Sequence, residues 1–239
     1  MTLLLVAATI ALAALLQSAS GFGFSLIAVP IVSALVGAKV AVVAMDTLAF
    51  GLVLSLAVSG REHVRAAVVR VVTIAAVLGM PIGLWVLVGV DERVLGIVIS
   101  CIVILLTLLL MLGVTASDRA GIDLAAGFAS GVLATSTGTN GPPLVLALQA
   151  RHVPSSEFRA TLAAAFAIQD VVAVVGFGLT GQITTEVWQV VAAGVPGLVI
   201  GRLVGDRLFR SLDQRSFRRG VLALLLATGL LTLARAASV

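Results

Sequence analysis

The sequence predicts an all-α polytopic membrane protein built from two inverted-topology repeats, each a broken or re-entrant helical element followed by three transmembrane helices. Three observations lead there. The chain is 60% hydrophobic and 11% charged, with a mean hydropathy of +1.21. Soluble domains are about 45–50% apolar and about 25% charged, so the polar residues here are too few to cover a soluble surface. The apolar runs are interrupted twice by small polar stretches that lead into proline: QSASGFGFSLIAVP at residues 17–30 and GFASGVLATSTGTNGPP at residues 127–143. Finally, the first half of the chain recurs in the second. A porin-type barrel would instead show short alternating segments.

Each element follows from the bilayer requirement of roughly 20 apolar residues per crossing helix. Residues 2–16 are apolar. They lack a basic leading region, so they read as a first membrane segment rather than a signal peptide, although QSAS resembles a small-residue cleavage site. The interruption at 17–25 follows, then apolar 26–38 up to Lys39. Residues 40–59 form a span containing Asp46 and Thr47. Arg61, Glu62, His63, Arg65 and Arg70 mark a loop and the start of the next helix. Residues 71–90 span, with Gly79-Met80-Pro81 inside, and Asp91-Glu92-Arg93 turns the chain. Residues 94–114 are the most uniformly apolar span, and Asp118, Arg119 and Asp123 mark the midpoint.

The second half repeats this plan. Residues 124–150 carry the broken element, 151–159 form a polar loop, and 160–180 span with Gln169-Asp170 near the middle. Residues 187–201 span with Gly194-Val195-Pro196-Gly197. A basic loop runs over 202–219, and 220–234 form the last span. Pro30 matches Pro143, Thr47-Leu48-Ala49 matches Thr161-Leu162-Ala163, and Pro81 matches Pro196, at offsets of 113, 114 and 115 residues. The repeats are therefore placed at 1–117 and 118–239, together forming one transmembrane domain.

Charge decides between parallel and inverted halves. If each broken element crosses once, the basic residues divide ten to five. If each enters and returns to one face, as a hairpin or as two short spans, loops 61–70, 118–123, 151–159 and 202–219 share a side and carry twelve of the fifteen, leaving Lys39, Arg93 and Arg235 opposite. The positive-inside tendency favours the second arrangement. Each half then crosses an odd number of times, the halves are inverted, the basic loops are cytoplasmic and both termini lie outside.

The chain resembles the sulfite exporter TauE/SafE family, also called TSUP. The resemblance is carried by Gln17-Ser18-Ala19-Ser20-Gly21-Phe22-Gly23-Phe24 with Pro30. It is carried also by Gly127-Phe128-Ala129-Ser130-Gly131 running to Gly138, Gly141 and Pro142-Pro143, followed by Arg159-Ala160-Thr161. The family usually shows a more Gly-rich first motif; here Phe22 and Phe24 intervene. The resemblance implies a multi-pass protein of the bacterial cytoplasmic (inner) membrane. It also implies a secondary transporter or exporter of a small sulfur-containing anion: sulfite, thiosulfate, or an organosulfonate such as sulfoacetate.

The residues themselves point to a similar ligand. Hydroxyls, an amide and free backbone N–H groups at two helix breaks make a site of donors, and such breaks suit anions. Fixed positive charge at mid-membrane is expensive. The candidate substrate-binding residues are Ser18, Ser20, Gly21, Gly23 and Ser25 from the first break. From the second they are Thr135, Ser136, Thr137, Gly138, Thr139, Asn140 and Gly141. Against this stands close helix packing by small residues and Ser or Thr bonding to its own helix. Asp170, beside Gln169, and Asp46 are membrane carboxylates suited to coupling an ion or proton, or to a structural hydrogen bond. Arg159 is a candidate anion contact on the cytoplasmic side, or a snorkelling anchor.

The net charge of +4 and pI near 10.9 come from arginines placed between apolar segments, which topology explains without nucleic acid. The expected partners are the small anion, membrane lipid beside the basic loops and, where the chain assembles, its own copies as a homo-oligomer. No cofactor is expected. Cys101 is the single cysteine, and His63 and His152 lack a ligand partner at helical spacing, so no metal site is expected. Alternating access between inverted halves competes with a passive anion channel. An intramembrane enzyme is disfavoured, because Asp46 and Asp170 have no His companion.

Overall fold

The structure, a computed structural model, describes residues 2–112, 119–149, 151 and 153–209, with single helical residues at 223, 226, 227 and 230. Its elements are α1 (Thr2–Ser20), α2 (Phe24–Val36), α3 (Ala38–Ser59), a one-turn 3-10 helix (Arg61–His63), α4 (Ala66–Gly89) and α5 (Glu92–Leu112). The second half gives α6 (Arg119–Thr137), α7 (Gly141–Gln149), α8 (Ser155–Leu179) and α9 (Thr185–Phe209). The described residues contain no strand. Helices α1, α3, α4, α5, α8 and α9 are long and apolar enough to cross a membrane, as expected for an integral multi-pass membrane protein. With 13 and 9 residues, α2 and α7 reach only about 20 Å and about 14 Å, short of the hydrocarbon thickness of about 30 Å.

Two helix limits differ from the sequence reading. Helix α4 starts at Ala66, so Arg70 lies inside it rather than ahead of it. Helix α9 runs on to Phe209 through Arg202 and Arg207, which charge alone places in a loop. Asp206 pairs with Arg202 one turn back, and Gly205 seats this turn on α1, so the helix continues. Helices α2, α4 and α9 also run unbroken through Pro30, Pro81 and Pro196. His152, the arginines from Arg210 to Arg219 and the predicted span at 220–234 lie outside the described residues.

Glycines set the closest packing. Helices α4 and α6 lie together, as do α1 and α9. In the first pair, a Cβ on Gly79 would strike the Phe128 carbonyl, one on Gly83 the Val132 carbonyl, and one on Gly131 the Ala76 carbonyl. In the second, Gly197, Gly201 and Gly205 hold the same relation to the carbonyls of Ala7, Ala11 and Leu15. Small residues at four-residue spacing let two backbones touch, and this close packing is what holds helices together where lipid is as apolar as the side chains. Between these pairs, α3 packs on α8. Helix α1 also packs on α2 and α6 on α7, while α3 meets α9 and α8 meets α4. Leu4, Ile74, Leu78, Trp85 and Leu179 stay exposed on the outside, as a hydrocarbon-facing surface requires.

Polar links show where the chain enters and leaves. Arg65 Nε donates to Glu157 at 2.5 Å, Arg151 pairs with Asp123, and Arg159 Nη2 reaches Asp206 at 3.4 Å. These pairs gather the ends of α3, α7 and α9 and the starts of α4, α6 and α8 at one end of the bundle. At the other end the Lys39 N–H donates to Glu92 Oε1 at 3.0 Å, and its ammonium to the Val88 carbonyl at 3.1 Å. Asp123 sits near the start of α6 and Arg151 just past α7. Ser130 Oγ, midway along α6, donates to the Asn140 carbonyl at 3.0 Å. Helix α7 therefore doubles back along α6.

Candidate functional site

The first break follows from backbone chemistry. The Gly21 N–H still bonds to the Gln17 carbonyl at 2.7 Å, but Gly21 and Gly23 adopt φ of 87° and 105°, a left-handed region that glycine enters without penalty. The helix stops there and α2 begins at Phe24. The Phe24 N–H donates to Gln17 Oε1 at 2.9 Å, so the last turn of α1 caps the start of α2. The next N–H groups, of Ser25 and Leu26, have no intrahelical acceptor by helix geometry.

The second break has a different chemistry. Gly138 turns the chain at φ 65°, and the Thr139 N–H returns to the Leu133 carbonyl at 3.3 Å. Pro142 and Pro143 sit in the first turn of α7, where a missing N–H is tolerated. An N-cap side chain normally accepts from the second or third N–H of its helix. Here both are prolines, so the Asn140 side chain turns elsewhere: its amide donates to Gln169 Oε1 on α8 at 3.2 Å. The Ser130 hydroxyl, 2.9 Å from the same oxygen, shares its one proton between it and the Asn140 carbonyl. Gln169 thus ties α6, the break and α8 together.

The two breaks face each other. Gln17, Gly23, Phe24, Ser25 and Leu26 line one side of a cavity of ≈ 20 Å³, and Gly138, Thr139, Asn140 and Gly141 line the other, with Ala49, Val53, Phe166 and Asp170 closing it. That space holds about one water. Of the residues singled out in the sequence, Gly23, Ser25, Gly138, Thr139, Asn140, Gly141 and Asp170 come together here.

The remaining candidates lie elsewhere. Ser18 is buried under Gly205 of α9, and its Oγ has no hydrogen-bond partner. Ser20 Oγ bonds to the Leu16 and Phe22 carbonyls at 2.7 and 2.6 Å. Gly21 packs on the Arg159 side chain, whose Cγ is 2.6 Å from where its Cβ would be. Thr135 Oγ1 donates to the Met80 carbonyl of α4 at 2.7 Å. Ser136 Oγ bonds to the Val132 carbonyl at 2.6 Å, and Thr137 Oγ1 meets Thr139 Oγ1 at 2.7 Å. These hydroxyls satisfy backbone and neighbours.

Both membrane carboxylates are buried, Asp46 at 1% exposure and Asp170 at 2%. Each has an Oδ2 with no hydrogen-bond partner among the described residues. They flank the second break: Asp46 Oδ1 is 3.5 Å from where a Gly138 Cβ would be, and Asp170 opens onto the cavity.

Arg159 lies toward the basic end of the bundle. With Arg202, Asp206, His63, Ser59 and Ser156 it lines a second, larger cavity of ≈ 530 Å³. No group of His, Cys, Asp and Glu among the described residues could hold a metal ion.

Sequence reasoning named Gln17 and Ser130 only as motif residues, without a role at the site, and passed over Phe166. Gln17 and Ser130 stand 113 residues apart, the same offset as Pro30 and Pro143, and both anchor the start of the returning helix. That coincidence was the signal. Phe166 gave none, being one aromatic residue in an apolar span.

The sequence model of a family described as Sulfite exporter TauE/SafE matches residues 6–232, nearly the whole chain. No curated protein and no solved structure matches it.

Proposed function

We propose that this chain, which belongs to the sulfite exporter TauE/SafE family, is a secondary transporter that carries a small sulfur-containing oxyanion across the cytoplasmic membrane by alternating access. The donor set suits a small oxyanion, and the family narrows the candidates to sulfite, thiosulfate and an organosulfonate such as sulfoacetate. The observation that carries the reading is the meeting of two helix breaks around one small buried cavity, with donors on both sides. The Ser25 and Leu26 N–H groups at the positive end of α2, the Ser25 and Thr139 hydroxyls, the Asn140 amide and the Gly141 N–H can replace the hydration shell of an oxyanion. They do so without a fixed cation in the membrane centre.

Matched packing supports two halves of inverted topology: α1 lies on α2 and α9 as α6 lies on α7 and α4, about the central α3–α8 contact. In secondary transporters the site sits at such a repeat interface and one half rocks against the other. A sulfur oxyanion is larger than one water, so binding requires the breaks to part. Asp46 and Asp170 are the groups placed to carry a coupling proton, and the basic end of the bundle is the cytoplasmic one.

The test is anion flux into proteoliposomes of the purified protein, with and without a pH gradient. Saturable flux of sulfite, thiosulfate or sulfoacetate is the expected result. Absence of flux and of binding for all three overturns the reading. Conductance that does not saturate favours a passive anion channel.

A further inference from the structure

We propose that Asp170 must take up a proton before the cavity can hold its anion, so that proton and anion occupy the protein together and move in the same direction. The inference rests on reading this cavity as the anion site. Asp170 is the charged residue of the lining, and its Oδ2 is buried without a hydrogen-bond partner. An oxyanion bound to Ser25, Thr139 and Asn140 would lie in that same small space. Two unit negative charges about 4 to 6 Å apart, at an effective dielectric constant of about 20, repel enough to reduce joint occupancy on the order of a hundredfold to a thousandfold.

Among the described residues the cation nearest the breaks is Arg159, whose side chain packs on Gly21, and the cavity lining itself holds none. Asp46, from α3, flanks the same break, with its Oδ1 3.5 Å from where a Gly138 Cβ would be, and is a second acid rather than a cation. The other linings, from α1, α2, α6, α7 and their connections, are uncharged: Gln17, Gly23, Leu26, Gly138 and Asn140 among them. Toward the basic end, Arg159 lies eleven residues back along α8, about 16 Å along the axis, and engages Asp206. Arg65 engages Glu157, and Arg151 engages Asp123. Lys39, at the opposite end, engages the Val88 carbonyl. The remaining way to remove the negative charge that faces the anion is a proton on an Asp170 carboxylate oxygen. That proton is taken from water on the side where the anion enters and is released to water on the side where it leaves.

The sign of the pH dependence follows. Anion affinity weakens as pH rises, by up to about tenfold per pH unit for a single coupled proton. Thiosulfate is the suitable probe, because its charge does not change across the neutral range; sulfite and sulfoacetate serve as companions.

The experiment adds thiosulfate to the purified full chain in weakly buffered detergent solution and records a pH indicator. Binding is followed in parallel by thermal shift at about pH 6 and about pH 8. Uptake of about one proton per anion bound, with weaker binding at the higher pH, is the expected result. Asp170→Asn should then bind thiosulfate equally at both pH values without proton uptake. Binding by the native chain that is independent of pH and takes up no proton overturns the coupling while leaving the anion site standing. A variant that retains the full pH dependence overturns the role of Asp170. If none of the three anions binds at any pH, the anion site itself fails, and the coupling with it. The native-chain proton measurement decides the matter even if the variant does not fold.

Discussion

The break at Gly21–Gly23 is held by its own helix, whereas the break at Gly138–Asn140 is held by a neighbour. In the first, Gln17 of α1 reaches forward to the Phe24 N–H, and α2 begins with its N–H groups intact. In the second, two prolines remove those N–H groups, Asn140 is released from capping, and Gln169 of α8 takes both Asn140 and Ser130. Arg159 lies against the first break, Asp46 and Asp170 against the second. The turn and the packing beneath it are alike at the two breaks, while the chemistry around them differs. One break offers a backbone dipole. The other offers side-chain donors beside carboxylates that can change charge.

The comparison can be broken first at its common base. Gly131→Val drives a side chain into the Ala76 carbonyl and Gly201→Val into that of Ala11. Each should lose about 3 kcal/mol or more, read as loss of monodisperse protein and a lowered unfolding temperature. If only one of the two matters, the packing beneath the breaks is not equivalent. Gly96→Ala, inside α5 with open space around it, is the control and should lose nothing, with a gain of up to about 1 kcal/mol from helix propensity.

The latches come next. Gln169→Leu strands the Asn140 amide and leaves the Ser130 hydroxyl with the Asn140 carbonyl alone, and should destabilise by about 1–3 kcal/mol. Gln17→Leu strands the Phe24 N–H and gives up a long contact of the Gln17 amide with the Gly21 carbonyl at 3.5 Å, and should lose about 1–2 kcal/mol. Thermal unfolding of the two variants side by side measures the difference, and a loss from Gln17→Leu as large as that from Gln169→Leu would show the two latches to be of equal strength.

Binding sharpens the contrast further. Asn140→Leu should remove the stabilisation that an anion confers while the protein stays folded; stabilisation scales with ligand concentration over dissociation constant, so millimolar anion suffices to see it. An unchanged shift would exclude Asn140 from the site. The smallest effects belong to hydroxyls bonded to backbone. Ser20→Ala and Ser136→Ala should each change stability by about 1 kcal/mol or less and leave anion flux unaltered. A large loss of flux in either would return those hydroxyls to the site.

The helical membrane class and the two interruptions were legible in the sequence, because lipid demands long apolar runs and because glycine and proline mark breaks. The hydroxyl cluster was legible as a cluster but not in its roles. Thr135, Ser136 and Thr137 occupy consecutive positions of one helix, so they point in different directions, and only tertiary neighbours decide which of them reaches a cavity. Ser18 likewise belongs to the face of α1 that meets α9. The C-terminal limit of α9 was missed because charge was read as loop, while Arg202 and Asp206 at helical spacing pair with each other. Gln169 showed its neighbourhood but not its function, since its two partners lie 29 and 39 residues back along the chain.

Gln169 and Asp170 are consecutive on α8, one gripping the tip of the α6–α7 hairpin and the other opening onto the cavity. Turning that helix about its axis by some tens of degrees therefore tugs the hairpin and swings the acid in a single stroke. On the proposed reading, no separate relay is needed between taking up a proton and parting the walls of the cavity, since one rigid rod carries both handles.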